Sequence, residues 1–222
     1  MAPSWIRNQF LPPSLLLALG LSLMVWQNSG TQNLNSAPSP PREDVDTVIK
    51  SGLAKMQNGD NAGAVHDLTT AIAIEPSAKA YYHRSNARQE LNDYKGAIED
   101  LTVVINTIQD RTGPYYNRGL AKSRLKDFNG AIEDYTSAIA VNPRFDRGLV
   151  SRGNAHLKLD QFEQAVGDYD QAIQINPRNR GAFIGRGIAK ERQGNFSEAC
   201  SDYRAAAELG SQKAAGWVKN QC

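Results

Sequence analysis

The chain has 222 residues, 41% apolar and 22% charged, the balance of a globular chain able to bury a core. Residues 1–42 hold no Asp or Glu and only Arg7 and Arg42 as bases, so the remainder carries 23 bases against 23 acids and is formally neutral. Neutrality argues against a nucleic-acid surface, which needs a basic excess, and against a polybasic membrane patch.

The first element is an N-terminal leader, residues 1–26. Phe10 to Trp26 is an uncharged, mostly apolar run, densest from Ser14 to Trp26, and it follows one base, Arg7. A short positive flank before an apolar stretch predicts export. Two outcomes stay open. A membrane anchor needs about 17–25 apolar residues. The full run just reaches that length, and Trp5 and Trp26 bracket it as interfacial aromatics would. A cleaved signal peptide needs an apolar region of about 7–15 residues, which the dense part fits. No A-x-A-like triplet follows Trp26, and no Cys follows it that could carry a lipid. The positive flank favours a cytoplasmic N-terminus and a body outside the cytoplasm, in a periplasm or lumen; a soluble exported protein is the alternative. Residues 27–44 form a polar linker, and six of the ten prolines lie at or before Pro41.

From there a period takes over. GAVHDL, GAIEDL, GAIEDY, QAVGDY and EACSDY place an alanine in one phase at Ala64, Ala97, Ala131, Ala165 and Ala199, the first step being one shorter than the three equal steps after it. Upstream, YYHRSNA, YYNRGLA, LVSRGNA and FIGRGIA keep the same step, with a weaker copy at Val48. Pro76, Pro143 and Pro177 close units, with Gln109 in the second unit's place. Each unit holds two helix-length stretches and a short turn; in the third, the helices are predicted over Pro114–Leu125 and Asn129–Val141. Gly59, Asn92 and Gly194 share the turn position of Lys126, where a left-handed residue ends the first helix. Gly52, Ser85, Gly119, Gly153 and Gly187 hold one phase of the first helix, and Ala54, Ala87, Ala121, Ala155 and Ala189 another. Glycine in a helix costs roughly 1 kcal/mol relative to alanine, so its recurrence predicts a tight helix crossing. Large residues should fill the space around it: Tyr81, Tyr115, Leu149 and Phe183; Tyr94, Phe128, Phe162 and Phe196; Leu101, Tyr135, Tyr169 and Tyr203.

This pattern resembles the tetratricopeptide-repeat family, with the third and fourth units matching best. The resemblance implies an all-α fold, a right-handed α-solenoid of five helix–turn–helix hairpins. The boundaries are 45–77 (atypical), 78–111, 112–145, 146–179 and 180–210, with a capping helix over 211–222 whose apolar set is Ala214, Ala215, Trp217 and Val218. It also implies a binding groove lined by the first helices. The groove residues are Tyr82, His83, Asn86, Gln89, Tyr116, Asn117, Leu120, Arg147, Ser151 and Asn154, with Lys79, Glu90, Arg124, Val150 and Ile184 beside them. Some family members grip an acidic chain end with a two-carboxylate clamp. Asn86, Asn117 and Arg147 stand at three of its five positions, but Tyr82 and Ser151 replace its other two, both cations.

The most regular charged feature is a set of pairs at one fixed spacing: Arg84–Asp100, Arg118–Asp134, Arg152–Asp168 and Arg186–Asp202, with Ser51 and Asp67 in the first unit. Both members lie near the crossing, so they are read as ties between helices rather than as a ligand-binding ladder. His66, His83 and His156 have no metal-ligand spacing, so no metal is expected. Cys200 and Cys222 are expected to form a disulfide if the chain is exported; two free thiols are the alternative. No nucleotide loop, nucleophile elbow or zinc-protease motif occurs, and no cofactor is expected. The expected role is a non-catalytic scaffold holding a peptide or protein segment, in assembly or maturation of a membrane-associated complex. The rivals are a co-chaperone-like module for acidic chain ends and, further off, an enzyme with an unrecognised site.

Overall fold

A computed structural model describes residues 44–222. The leader, its candidate membrane span and nearly all of the linker lie outside the described residues. Within them are eleven helices and no strand. They form five antiparallel hairpins: α1 (Val45–Gln57) with α2 (Asn61–Ile74), α3 (Ala78–Glu90) with α4 (Tyr94–Thr107), α5 (Thr112–Arg124) with α6 (Phe128–Val141), α7 (Asp146–Lys158) with α8 (Phe162–Ile175), and α9 (Arg180–Arg192) with α10 (Phe196–Glu208). A last helix, α11 (Gln212–Gln221), packs on α10. Each second helix packs on its own first helix and on the next, while α1–α3, α5–α7 and α7–α9 also touch. The first helices therefore line the inner side of a right-handed α-solenoid. None of the described helices is long and apolar enough to cross a membrane.

The hairpin turn is built by one short sequence. Gly59, Asn92, Lys126, Asp160 and Gly194 all have left-handed φ, of 80°, 60°, 64°, 55° and 83°. In the second and third hairpins the next residue does two jobs. Asp93 and Asp127 donate their backbone N–H to Arg88 and Lys122 carbonyls, closing the first helix. Their carboxylates then accept the backbone N–H of Gly96 and Gly130, opening the second. Asp60 does the same with Lys55 and Gly63. Glycine is the residue that fits there, because an added Cβ would overlap the capping carboxylate. Gln161 and Asn195 close their first helices without a side-chain cap.

Three boundaries of the third hairpin differ from the sequence reading, one of them at the end of α5, where Leu125 is the cap after Arg124. Helix α5 begins at Thr112 rather than Pro114, because Asp110 accepts the Thr112 N–H and the missing Pro114 N–H falls in the first turn, where no carbonyl needs it. Helix α6 begins at Phe128, one residue early, because Asp127 is its cap.

The tight crossing has a specific cause. A Cβ at Gly119, Gly153 or Gly187 would meet the Tyr135, Tyr169 or Tyr203 ring at 2.6, 2.9 or 2.5 Å. Where the second helix offers Leu101 instead, the first helix carries Ser85, fully buried and bonded to the Tyr82 carbonyl. The three tyrosines, with Leu68, Leu101 and Leu149, form the core, and burial raises each phenol well above its ordinary pKa. Of the other large residues expected around the crossing, Tyr81, Tyr94, Tyr115, Phe128, Phe162 and Phe183 are half-buried, and Phe196 is 65% exposed. Its counterpart Phe128 is covered by the following hairpin, whereas among the described residues α10 is followed by a single helix. Helix α11 instead seats Trp217 on Tyr203, ring centroids 4.9 Å apart, and buries Ala214. Ala215, expected on that face, is exposed, since it lies off the line through 214, 217 and 218. A disulfide joins Cys200 of α10 to Cys222, with Cα atoms 5.6 Å apart, and ties the cap down.

Candidate functional site

Two sets of polar residues recur along the solenoid, and their geometry separates them. The first is the set of Arg–Asp pairs. Arg84, Arg118, Arg152 and Arg186 each donate to the paired Asp100, Asp134, Asp168 and Asp202 through Nε and Nη2, the latter at 2.5–2.6 Å. All four carboxylates are buried. The remaining Nη1 reaches back to the preceding hairpin, to Thr69, Thr102, Thr136 or Asp170. Each arginine thus joins three helices. Hydrogen bonding to Asp100 and Asp202 holds the Arg84 and Arg186 guanidinium groups above their usual pKa.

Sequence reasoning missed the second cation on each carboxylate. Arg88, Lys122 and Lys190 lie at 2.9, 2.9 and 3.3 Å from Asp100, Asp134 and Asp202. His156 stands 3.7 Å from Asp168. In the first hairpin Ser51 and Lys55 hold Asp67, and those bonds lower its pKa. The signal was present: Lys55, Arg88, Lys122, His156 and Lys190 keep the repeat's own spacing, four residues after each Arg or Ser51. The network is saturated, and among the described residues no buried side-chain N or O atom lacks a partner.

The second set is on the inner surface. Asn117 donates its amide to Tyr82 Oη at 3.1 Å and to Asn86 Oδ1 at 3.3 Å, linking two first helices. Ser151 Oγ lies 3.5 Å from Tyr116 Oη, and Asn154 accepts from the buried Tyr169 hydroxyl at 2.7 Å. Part of the expected groove is thus satisfied internally and works as a floor. His83 and Tyr82 stack edge-to-face at 5.9 Å beside a small cleft with Val104, Ile108 and Pro114. Burial, and then Lys79, hold the His83 imidazolium below its usual pKa. Gln89 is half-buried on the same helix.

Three larger clefts open between the later hairpins. One of about 480 Å³ has Tyr116, Arg147, Val150 and Ser151 on one wall and Arg178, Asn179 and Arg180 on the other. Asp146 accepts from Asn176 and Asn179 there, fixing that loop against α7. A second, about 620 Å³, is lined by Leu120, Arg124, Lys126, Phe128, Ser151, Asn154 and Lys158. The third, about 570 Å³, shares Asn154 and Lys158 and adds Leu157, Phe162, Ile188 and Arg192. Among the described residues, no three His, Cys, Asp or Glu stand together to hold a metal ion. The open, repeat-spaced surface offers contact area and hydrogen-bonding groups.

Models of the tetratricopeptide repeat match residues 114–145 and 147–179, and a second such model matches 49–111. No curated protein sequence matches. Among solved structures, the chain is similar to MamA at 23% identity, covering 74% of this chain and 96% of that one, with a TM-score of 0.69. It is similar to YrrB, described as a TPR protein with an unusual peptide-binding site, at 16% identity over 81% and 93% of the two chains, with a TM-score of 0.68. A tetratricopeptide repeat protein from Parabacteroides merdae superposes with a TM-score of 0.72 at 18% identity, over 80% of this chain and 72% of that one. With five hairpins of one period and family models over more than half its length, this chain belongs to the tetratricopeptide-repeat family, whose members are scaffolds for protein–protein interaction and are generally non-catalytic.

Proposed function

We propose that the chain holds a peptide or protein segment against the inner surface of its solenoid, and does so at or beyond a membrane, in assembly or maturation of a membrane-associated complex. The observation that carries the binding role is the run of open clefts between first helices, about 620 and 570 Å³, joined through Asn154 and Lys158. Their walls mix apolar and hydrogen-bonding groups, as peptide-binding surfaces do. The apolar run Phe10 to Trp26 after Arg7 supports the location. The Cys200–Cys222 disulfide supports an oxidising compartment.

The test is site-specific photocrosslinking in native membranes. A photoreactive residue at Leu120 or Asn154, on the inner side, is expected to capture a partner. One at Glu133 or Ala140, exposed on α6, is expected to capture none. Capture only from α6 would refute the binding role. Carbonate washing tests the anchor separately: an anchored chain stays with the membrane, and a chain found wholly in the cytosol rules out export.

A further inference from the structure

Charge is not spread evenly along the solenoid. Residues 43–111 carry 7 bases against 11 acids, whereas residues 112–222 carry 16 against 12. Arg84, Arg88, Arg118, Lys122, Arg152, Arg186 and Lys190 on the first helices are committed to the buried aspartates. Of the first-helix bases that are not, three recur at one position of the repeat. Arg124, Lys158 and Arg192 end α5, α7 and α9, each one full repeat after the last. All three are exposed, and none makes an ion pair or side-chain hydrogen bond among the described residues. They line the two joined clefts, with Lys126 at the rim and Asp160 the one acid in either lining.

A helix C-terminus favours a cation, which would explain a base there without any ligand. Two observations argue against that being the whole account. The last turns of α5, α7 and α9 already hold Lys122, His156 and Lys190, engaged with aspartates. The same end position in the first two hairpins is Gln57 and Glu90, so the position does not require a cation.

We propose that the inner surface of the last three hairpins takes an extended acidic segment of a partner protein, its carboxylates meeting Arg124, Lys158 and Arg192 in turn. This rests on the groove-binding reading above and gives it a ligand chemistry. Helices in contact lie about 8–10 Å apart. An extended chain rises about 3.3 Å per residue. The matching segment therefore carries an acid at about every third residue, with the intervening side chains over Leu120, Phe128 and Ile188.

The test uses the full chain and fluorescence anisotropy with a labelled, C-terminally amidated peptide bearing three Glu at every third position in a Ser/Ala/Leu host. The Glu peptide is expected to bind, more weakly as salt rises. The Gln version, and the triple change Arg124→Glu, Lys158→Glu, Arg192→Glu, are each expected to weaken binding about tenfold or more. Because the three side chains are exposed and unpaired, thermal melting of the variant should match the parent; the triple alanine variant serves if it does not. Lys50→Glu with Lys95→Glu, both exposed in the first two hairpins and away from the clefts, should leave affinity unchanged. Equal binding of the Gln peptide, or of both triple variants, overturns the ladder while leaving groove binding intact. So does binding that needs a free C-terminal carboxylate, which would place recognition at Arg147. A uridine oligomer of equal length that binds more tightly through the same three residues overturns the protein assignment. No binding of the Glu peptide overturns the inference, and the crosslinking result then decides whether the groove binds at all.

Discussion

Asp134→Asn separates the repeated ion network from ordinary packing, because the amide keeps the volume and loses the charge. Asp134 is 2% exposed and accepts from Arg118 Nη2 at 2.6 Å and Nε at 3.0 Å, with Lys122 Nζ at 2.9 Å. The change leaves two cations facing a neutral group and turns one acceptor atom into a donor that points at donors. Breaking a buried pair costs about 3–5 kcal/mol. The side chains of Arg118 and Lys122 are 17% and 19% exposed, and Arg118 keeps its bond to Thr102, so the lower end applies, about 3 kcal/mol. For a chain of this size that lowers the melting temperature by roughly 6–12 °C. Asp67→Asn is the internal control. Its partners are the Ser51 hydroxyl, Lys55, whose side chain is 39% exposed, and the exposed His66 ring at 3.5 Å, so about 1 kcal/mol or less is expected. Urea and thermal unfolding of both variants, followed by circular dichroism, measure the difference. A loss below about 1 kcal/mol for Asp134→Asn, or one equal to that of Asp67→Asn, would refute the reasoning.

Further outcomes follow from named contacts. Gly119→Ala should destabilise by about 1–3 kcal/mol despite alanine's better helix propensity, because Tyr135 cannot retreat. Gly167→Ala in α8, where nothing lies within 4 Å of the added Cβ, should stabilise by about 0.5–1 kcal/mol; unfolding midpoints check both, and the same sign for the two would contradict the account. Reducing the Cys200–Cys222 bond, whose partners are 22 apart in sequence, should lose about 3 kcal/mol and raise amide exchange in α11 before any other helix; unchanged exchange there would show that the cap holds without it. His83 is kept below its usual 6.5 by burial, so the unfolded chain takes up its proton first and stability should fall as pH drops below about 6.5. His83→Gln should flatten that part of the stability–pH curve, and an unchanged slope would show that the group contributes nothing.

The sequence by itself determined the repeat, because a hairpin that cannot bury its face alone must be copied, and the copies are visible as a period. Its small-residue phases also marked the crossing, and Cys200 and Cys222 suggested the staple. Even the second cation on each aspartate was written in the period, four residues after each arginine, though it was not read. Only the tertiary structure decided which polar residues are spent. Asn86, Asn117 and Asn154 look like free amides on a helix face, yet two are bonded to each other and the third to Tyr169, because neighbouring hairpins bring them within reach. Arg118 and Arg124 are chemically alike and six residues apart, yet one is bonded to the paired aspartate and the other faces solvent. The same is true of Phe128 and Phe196, one covered and one exposed, since coverage depends on what the following hairpin supplies. A repeat fixes each residue's phase, and the neighbours that phase meets in space fix what the residue is left free to do.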